Sequence, residues 1–590
     1  MTRHDETPAA TGGVGMTGKA PKAPVGVFAA AGLIAVVTLA ARFFGFGRWL
    51  VFSQSVGATC VGSVYQTANL LPNVIFEIAA GGVLAAVVVP IIASQLARPD
   101  SRTGESTAEA GQTASAMLTW TLAALVPLSI LMAVCARALS TVMIPRPTCA
   151  GSSDLMASML VVFSPQIALY GVGIVLAGVL QAHRRFLGVV LAPLLSSLVV
   201  IATYLAFAAL AQGKGNTHNL ALLPGQASTA LAAGTTLGVA VLSLSLLIPV
   251  YRAGVRLRPT WTFPEGVARR AGSLAGAGLL ALAAQQLAVL VTLWVSNSRG
   301  GTGTLNVYAY VQAIYLLPYA VLAVPFAMSA LPALATGLDQ AVLAAGPDQP
   351  VAAPATETDQ VSQSRAHSTL ASSSRAIIVA TSAGAAVLFA IAWPTGAFFI
   401  ALDAGQHTVQ GREALAALPA ALSAFAPGLV GFGMAALLTR ALYVLGRPAV
   451  AGGLVAAGWL IAALLPLVVL RPHAGPHSTL LALGFGSSLG MTVAAVGLFI
   501  AVRRTWGADA FRGFGRSAMV ACAAGVLSAA VGRGLAAVLH PQGLVAGAVV
   551  AVVVTIVVAM VFAGSVWFGD RGSARLALAR LPVPGRWRTR

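Results

Sequence analysis

The stretch NLLPNVIFEIAAGGVLAAVVVPIIASQL, residues 69–96, is apolar enough to cross a hydrocarbon core, yet it holds a carboxylate, Glu77, and two prolines, Pro72 and Pro90. A second stretch, YLLPYAVLAVPFAMSALPALATGL at residues 315–338, resembles it. Both begin Leu-Leu-Pro, at Pro72 and Pro318, and both end in a Pro-x-aliphatic-Ala step, at Pro90 and Pro332. The second copy comes six apolar spans after the first, and an even offset leaves them parallel. Two six-helix halves related by an axis along the membrane normal are therefore predicted.

The rest of the chain fits that frame. Of 590 residues, 58% are apolar and 9% charged, with a mean hydropathy of +0.86, so the chain reads as an all-α integral membrane protein. Fourteen apolar segments are long enough to span, beginning with 25–52 and 60–93 and ending with 543–568. The predicted organisation is a disordered N-tail (1–24), a first six-helix half (25–253) and a second (254–502) containing a flexible polar loop (338–372). Two additional helices (503–569) and a basic tail (570–590) follow. Arg42 sits directly after the first apolar run and many spans follow it, which argues for an uncleaved first helix rather than a signal peptide.

The net charge of +19 is read through its placement. Lys and Arg collect in the N-tail, at 183–185, in the loops 252–270 and 503–516, and in the C-tail. The opposite side holds Arg137, Arg146, Lys214, Arg299, Arg412, Arg471 and Arg533. This bias predicts cytoplasmic termini and attraction to anionic lipid, with no nucleic-acid partner.

Cys60, Cys135, Cys149 and Cys522 lack zinc or CxxC spacing and are read as ordinary membrane or loop residues, with no metal site. No Walker lysine motif or HExxH occurs, and GFGSSLG at 484–490 lacks the context of a nucleophile elbow. No cofactor is expected.

Ionisable residues inside spans are costly and mark function or structural pairing. Glu77 is the one carboxylate predicted inside a span; the others, Asp403 and Glu413 among them, fall in tails, loops or helix margins. In the stretch ARFFGFGRWL, residues 41–50, Arg42 and Arg48 lie about 120° apart on an ideal helix, and Gly45 and Gly47 between them are candidates for bending it. The two arginines read as a cationic cavity for an anionic headgroup, with snorkelling anchors or a structural pair with Glu77 as alternatives. Gln66, Asn69 and Asn73, and further along Gln285, Gln286, Asn297 and Gln312, are candidates for lining the same cavity, with Pro72 as a helix-distorting position.

Residues 41–96 resemble the first two helices of the MurJ/MviN lipid II flippases of the MOP transporter superfamily. The shared frame is R-x-x-G-x-x-R, then L-P-N, a small-residue run with Gly82, and V-P. FAPGLVGFGMAALLTRALYVLGRP at 425–448 resembles that family's tenth helix. The resemblance implies a transporter, not an enzyme, that moves undecaprenyl-pyrophosphate-linked peptidoglycan precursor outward by alternating access. It also implies a bacterial inner membrane as the location and cell-wall synthesis proteins as partners, and it assigns Arg42 and Arg48 to the substrate site.

This chain departs from better-known members at Ser63, Phe76, Glu77, Gly81 and Ala313, where they carry other, mostly charged groups. In this it resembles the branch found in high-GC Gram-positive bacteria. An exporter of another polyprenyl-linked glycan or of drugs, a membrane glycosyltransferase and a non-transporting scaffold are the competing readings. The energy source, ion coupling or membrane potential, is left open.

Overall fold

A computed structural model describes residues 25–96, 103–145, 149–263, 267–325, 327, 357–403 and 409–572. The N-tail (1–24) and most of the basic C-tail lie outside the described residues. The first group of helices comprises α1 (Val25–Ser55), α2 (Cys60–Phe76), α3 (Gly82–Leu96), α4 (Thr103–Val134) and α5 (Ala136–Met143). It continues with α6 (Ser152–Phe163), α7 (Gln166–Ala182), α8 (Phe186–Leu210), α9 (Gly225–Leu244) and α10 (Leu247–Arg252). The second comprises α11 (Val267–Val295), α12 (Thr304–Pro318), α13 (Glu357–Leu402), α14 (Val409–Ala416), α15 (Leu418–Phe425), α16 (Gly428–Val444), α17 (Pro448–Val469) and α18 (Gly475–Trp506). The last two helices, α19 (Phe514–Leu539) and α20 (Leu544–Gly569), pack on α13 and on each other.

Within the first group α1 lies along α8 and α8 along α9; within the second α11 lies along α17 and α17 along α18. The groups meet where α11 crosses α3 and α12 crosses α2. Helices dominate because a lipid-facing backbone must satisfy its own hydrogen bonds. Lipid acts as the solvent here, since large apolar side chains such as Val468, Val538 and Phe568 are 77–82% exposed on the bundle surface.

Among the described residues, eleven helices are long and apolar enough to span, or twelve if α14–α16 is counted as one span. These match the last twelve expected spans; the expected spans 25–52 and 60–93 correspond to α1 and to α2 with α3. The count of fourteen is thus not reached by length and composition alone. The bent span turns by 47° between residues 425 and 428, at Pro427. Ser488 of GFGSSLG repairs this break, donating to the Ala424 carbonyl (2.6 Å) and accepting from Gly428 N–H (3.1 Å), so that motif is structural.

Two expectations are corrected. The flexible loop 338–372 is helical from Glu357, where α13 begins a long helix whose Ala366 and Leu370 are fully buried; residues 338–356 lie outside the described residues. A helix start rich in polar residues has the composition of a loop. Cys60 and Cys149 form a disulfide across 89 residues, while Cys135 and Cys522 are free. Spacing gave no hint of this because the two cysteines meet only when α2 packs against α6.

Candidate functional site

The two Leu-Leu-Pro segments break in the same way. After Pro72, α2 passes into α3 through a π turn at Glu77–Gly81; after Pro318, α12 passes into a π turn at Tyr319–Ala323. Proline removes an intrahelical donor, and π turns accommodate such gaps, often where function needs a distorted wall. By contrast α1 runs as uninterrupted α-helix through Gly45 and Gly47, neither of which has a neighbour where a Cβ would stand. Those glycines weaken a helix without removing a hydrogen bond, so the helical hydrogen bonding of α1 continues through them.

A cavity of about 420 Å³ lies between the two groups. Its walls include Trp49, Gln66 and Leu70 on one side and Tyr308, Gln312, Ala313 and Tyr315 on the other, with Gln285 from α11. Gln66 is 3% exposed and its Nε2 has no hydrogen-bond partner, so this wall holds an unspent donor for a ligand oxygen. Gln312 donates to the Tyr308 hydroxyl at 3.0 Å. A second cavity of about 700 Å³, containing Arg440, Tyr319, Tyr443 and Trp459, shares Phe432, Trp459 and Met491 with the first.

Not every sequence candidate lines these walls. Arg48 is half-buried with its guanidinium carbon 5.7 Å from the centre of the Trp49 ring, so it stands behind a cavity-lining indole. Arg42 is exposed two turns earlier. Asn69 and Asn73 are half-buried on α2 away from the cavity, and Gln286 is buried. Half-buried Glu77 makes no ion pair among the described residues; its carboxylate folds over Gly81, occupying the space a Cβ would need. The chain's departures take local roles: Phe76 packs against Tyr170 (5.7 Å between centroids), while Ala313 leaves an uncharged cavity wall.

One end of the cavity is sealed by contacts between the groups. Ala58 N–H donates to Asp403 Oδ2 at 3.2 Å, Asn306 Nδ2 to the Gly57 carbonyl at 2.6 Å, Gly303 N–H to Ser63 Oγ at 2.8 Å, and Asn297 Nδ2 to Thr67 Oγ1 at 2.9 Å. Gly303 adopts φ +83° with the Ala58 carbonyl 2.9 Å from where its Cβ would be, so only glycine fits this approach without strain. The Cys60–Cys149 disulfide lies at the same end, with Cys149 Sγ 3.5 Å from Thr302 Oγ1. Beneath it, Phe52 packs between Tyr65 (5.7 Å) and Tyr310 (6.2 Å), and Tyr310 stacks on Phe399 at 4.9 Å. The sequence reading missed Asp403, which falls one residue past α13 and shows its burial only in the fold.

A separate groove of about 810 Å³ runs between the end of α12, α13 and α20, walled by Leu317, Val321, Val387, Phe562 and Trp567 among others. It is almost wholly apolar, as suits an acyl or isoprenoid chain.

Solved structures share this fold. Lipid II flippase MurJ in an inward closed conformation matches 91% of this chain and 99% of its own, with a TM-score of 0.66 and 15% identity. An inward-facing multidrug resistance MATE family transporter of the MOP superfamily matches 80% of this chain and 98% of its own (TM-score 0.56, 15% identity). A Vibrio cholerae MATE transporter matches 80% and 95% (TM-score 0.53, 13% identity). At such identities the likeness speaks to the fold alone, but the family model of lipid II flippase MurJ matches the sequence itself over residues 52–557. This multi-pass membrane protein therefore belongs to the MurJ lipid II flippase family.

Proposed function

We propose that this flippase carries lipid II by alternating access of its two helix groups around the central cavity, with the headgroup inside and the polyprenyl chain in the apolar groove beside α13 and α20. The observation that carries this reading is the cavity itself: it lies between the groups, is closed at one end by hydrogen bonds between them, and offers the unpartnered Gln66 donor. Arg42 and Arg48 supply guanidinium forks for the pyrophosphate, Arg48 reaching the cavity when the Trp49 indole swings aside. Glu77, Asn69 and Asn73 extend the polar strip of the first arm. The chain acts as a transporter, and the reading assigns it no catalytic residue.

The sealed end faces outward in this reading and both termini are cytoplasmic. Two features support it: the Lys/Arg bias of the loops, and the disulfide at that end, since disulfides persist on the oxidising side of a membrane. An inside-negative potential favours outward movement of anionic charge by about 2.3 kcal/mol per charge per 100 mV, unless arginines travel with it.

Depleting the protein in its host and labelling lipid II with an impermeant outer-face reagent tests the function. Lost labelling with inner-leaflet accumulation, restored by wild type, is the expected result. Unchanged labelling in depleted cells would favour another polyprenyl-linked cargo.

A further inference from the structure

We propose that Asp403 is a proton-sensitive latch for the sealed end of the cavity: deprotonating it favours separation of the two groups, and protonating it favours closure. As an opening step this rests on the alternating-access reading; as a pH-dependent distance between two helix groups it can be tested without any cargo.

The latch stands on its contacts. Residues 57–67 of the first group meet residues 297–306 and Asp403 of the second through four polar contacts, and three of these join neutral groups. Asp403 is the ionisable member. It is 7% exposed, its Oδ2 accepts one backbone hydrogen bond, and its Oδ1 is buried with no partner. A carboxylate with half its acceptor capacity unmet in a dry interface is costly, and a proton relieves that cost.

Among the described residues no cation pairs with it, and the neighbouring His407 lies outside them. Of the elements packed around Asp403, the turn 56–59 has no titratable group, and α12 brings Tyr310, neutral and within electrostatic reach. On α14, Arg412 and Glu413 are both exposed. Burial accordingly pushes the Asp403 carboxyl up to about 7, against a smaller lowering from the Ala58 N–H.

When the groups part, water reaches the carboxyl and its pKa returns to the ordinary value of about 4. The closed state then holds the proton more tightly than the open one. Closure is favoured as pH falls, and opening as pH rises. Linkage through one proton changes the open-to-closed ratio by up to about tenfold per pH unit between roughly pH 4 and 7, and leaves it flat above that window. Acidification of the compartment facing this end would thus hold the cavity shut.

The test uses full-length protein in lipid nanodiscs, with Cys135 and Cys522 replaced by Ala and spin labels on Leu222→Cys and Ala416→Cys. Both labelled positions are exposed, one on each side of the seam. Distance distributions from pH 4.5 to 8.5 should show the longer-distance fraction rising steeply up to about pH 7 and then levelling. Asp403→Asn, which mimics the neutral carboxyl, should remove the pH dependence and keep the closed distance. Asn306→Ala, which deletes a neutral latch contact, should raise the open fraction while keeping the slope. A pH-independent distribution in the unsubstituted latch, or an Asp403→Asn variant with the same pH profile, overturns the proposal.

Discussion

The two Leu-Leu-Pro arms are alike in backbone and unlike in chemistry. Residues 60–96 and 304–323 each carry a proline followed by a π turn, and each begins at the sealed end of the cavity. The first arm presents Gln66, Asn69, Asn73 and Glu77 along its length, while the second presents Tyr308, Tyr310, Tyr315 and Tyr319. Their starts differ as well. A disulfide and the Thr59 cap hold the start of α2, whereas α12 begins after Gly303 with only hydrogen bonds to the opposite group. The break in the helix is the shared element, since it depends on one proline and a tolerant backbone. Around it the side chains have diverged into a polar series on the first arm and an aromatic one on the second, of which Gln66, Tyr308 and Tyr315 line the cavity. A covalently fixed start faces one that can let go, which suits the second arm to movement.

Removing the charge that serves the polar arm should have the largest effect. The double variant Arg42→Ala, Arg48→Ala should lose about 100-fold or more of lipid II transport in proteoliposomes, since hydrogen bonds to charged groups are worth about 1.5–3 kcal/mol each. Its circular dichroism should be unchanged. Transport at the wild-type rate would show that the arginines anchor the helix and do not bind the cargo.

The aromatic arm should matter most for stability. Tyr310 is fully buried among Trp49, Phe52 and Phe399, so Tyr310→Ala should cost about 3–5 kcal/mol and lower the melting temperature in detergent. A loss below about 1 kcal/mol would mean that the seam collapses around the gap.

Fixing the start of the first arm comes next. Cys60→Ser should destabilise the protein by about 2–4 kcal/mol, and a thiol reductant should shift the melting of wild type but not of the variant. Identical melting of both with and without reductant would remove the contrast drawn between the two starts.

The smallest effect is expected at Gln66. Replacing it with Leu removes a buried, unpartnered N–H, so stability should hold or rise by about 1 kcal/mol while transport falls several-fold. Lower stability would indicate that the amide is structural.

Much of the fold was legible along the chain. Apolar length marked the spans, and the paired Leu-Leu-Pro segments marked the internal repeat, because membrane solvation imposes its pattern residue by residue. The same logic singled out Glu77, Arg42 and Arg48 as charges needing an explanation, and Gln66, Gln285 and Gln312 as cavity residues. It failed where local composition is a poor guide. The polar start of α13 looked like loop, and nothing local showed that Asp403, at the margin of that helix, is buried.

Hydropathy alone thus marked an all-helical membrane protein, since it is a property of short segments facing a common solvent, while the transporter reading came from the resemblance of residues 41–96 and the family match. The fold alone decided that Cys60 meets Cys149, that Trp49 and not Arg48 lines the cavity, and that Asp403 is buried against Ala58. Those are contacts between residues 89 to 345 positions apart or choices between faces of one helix. Close packing of the two groups determines them, and no local pattern encodes it.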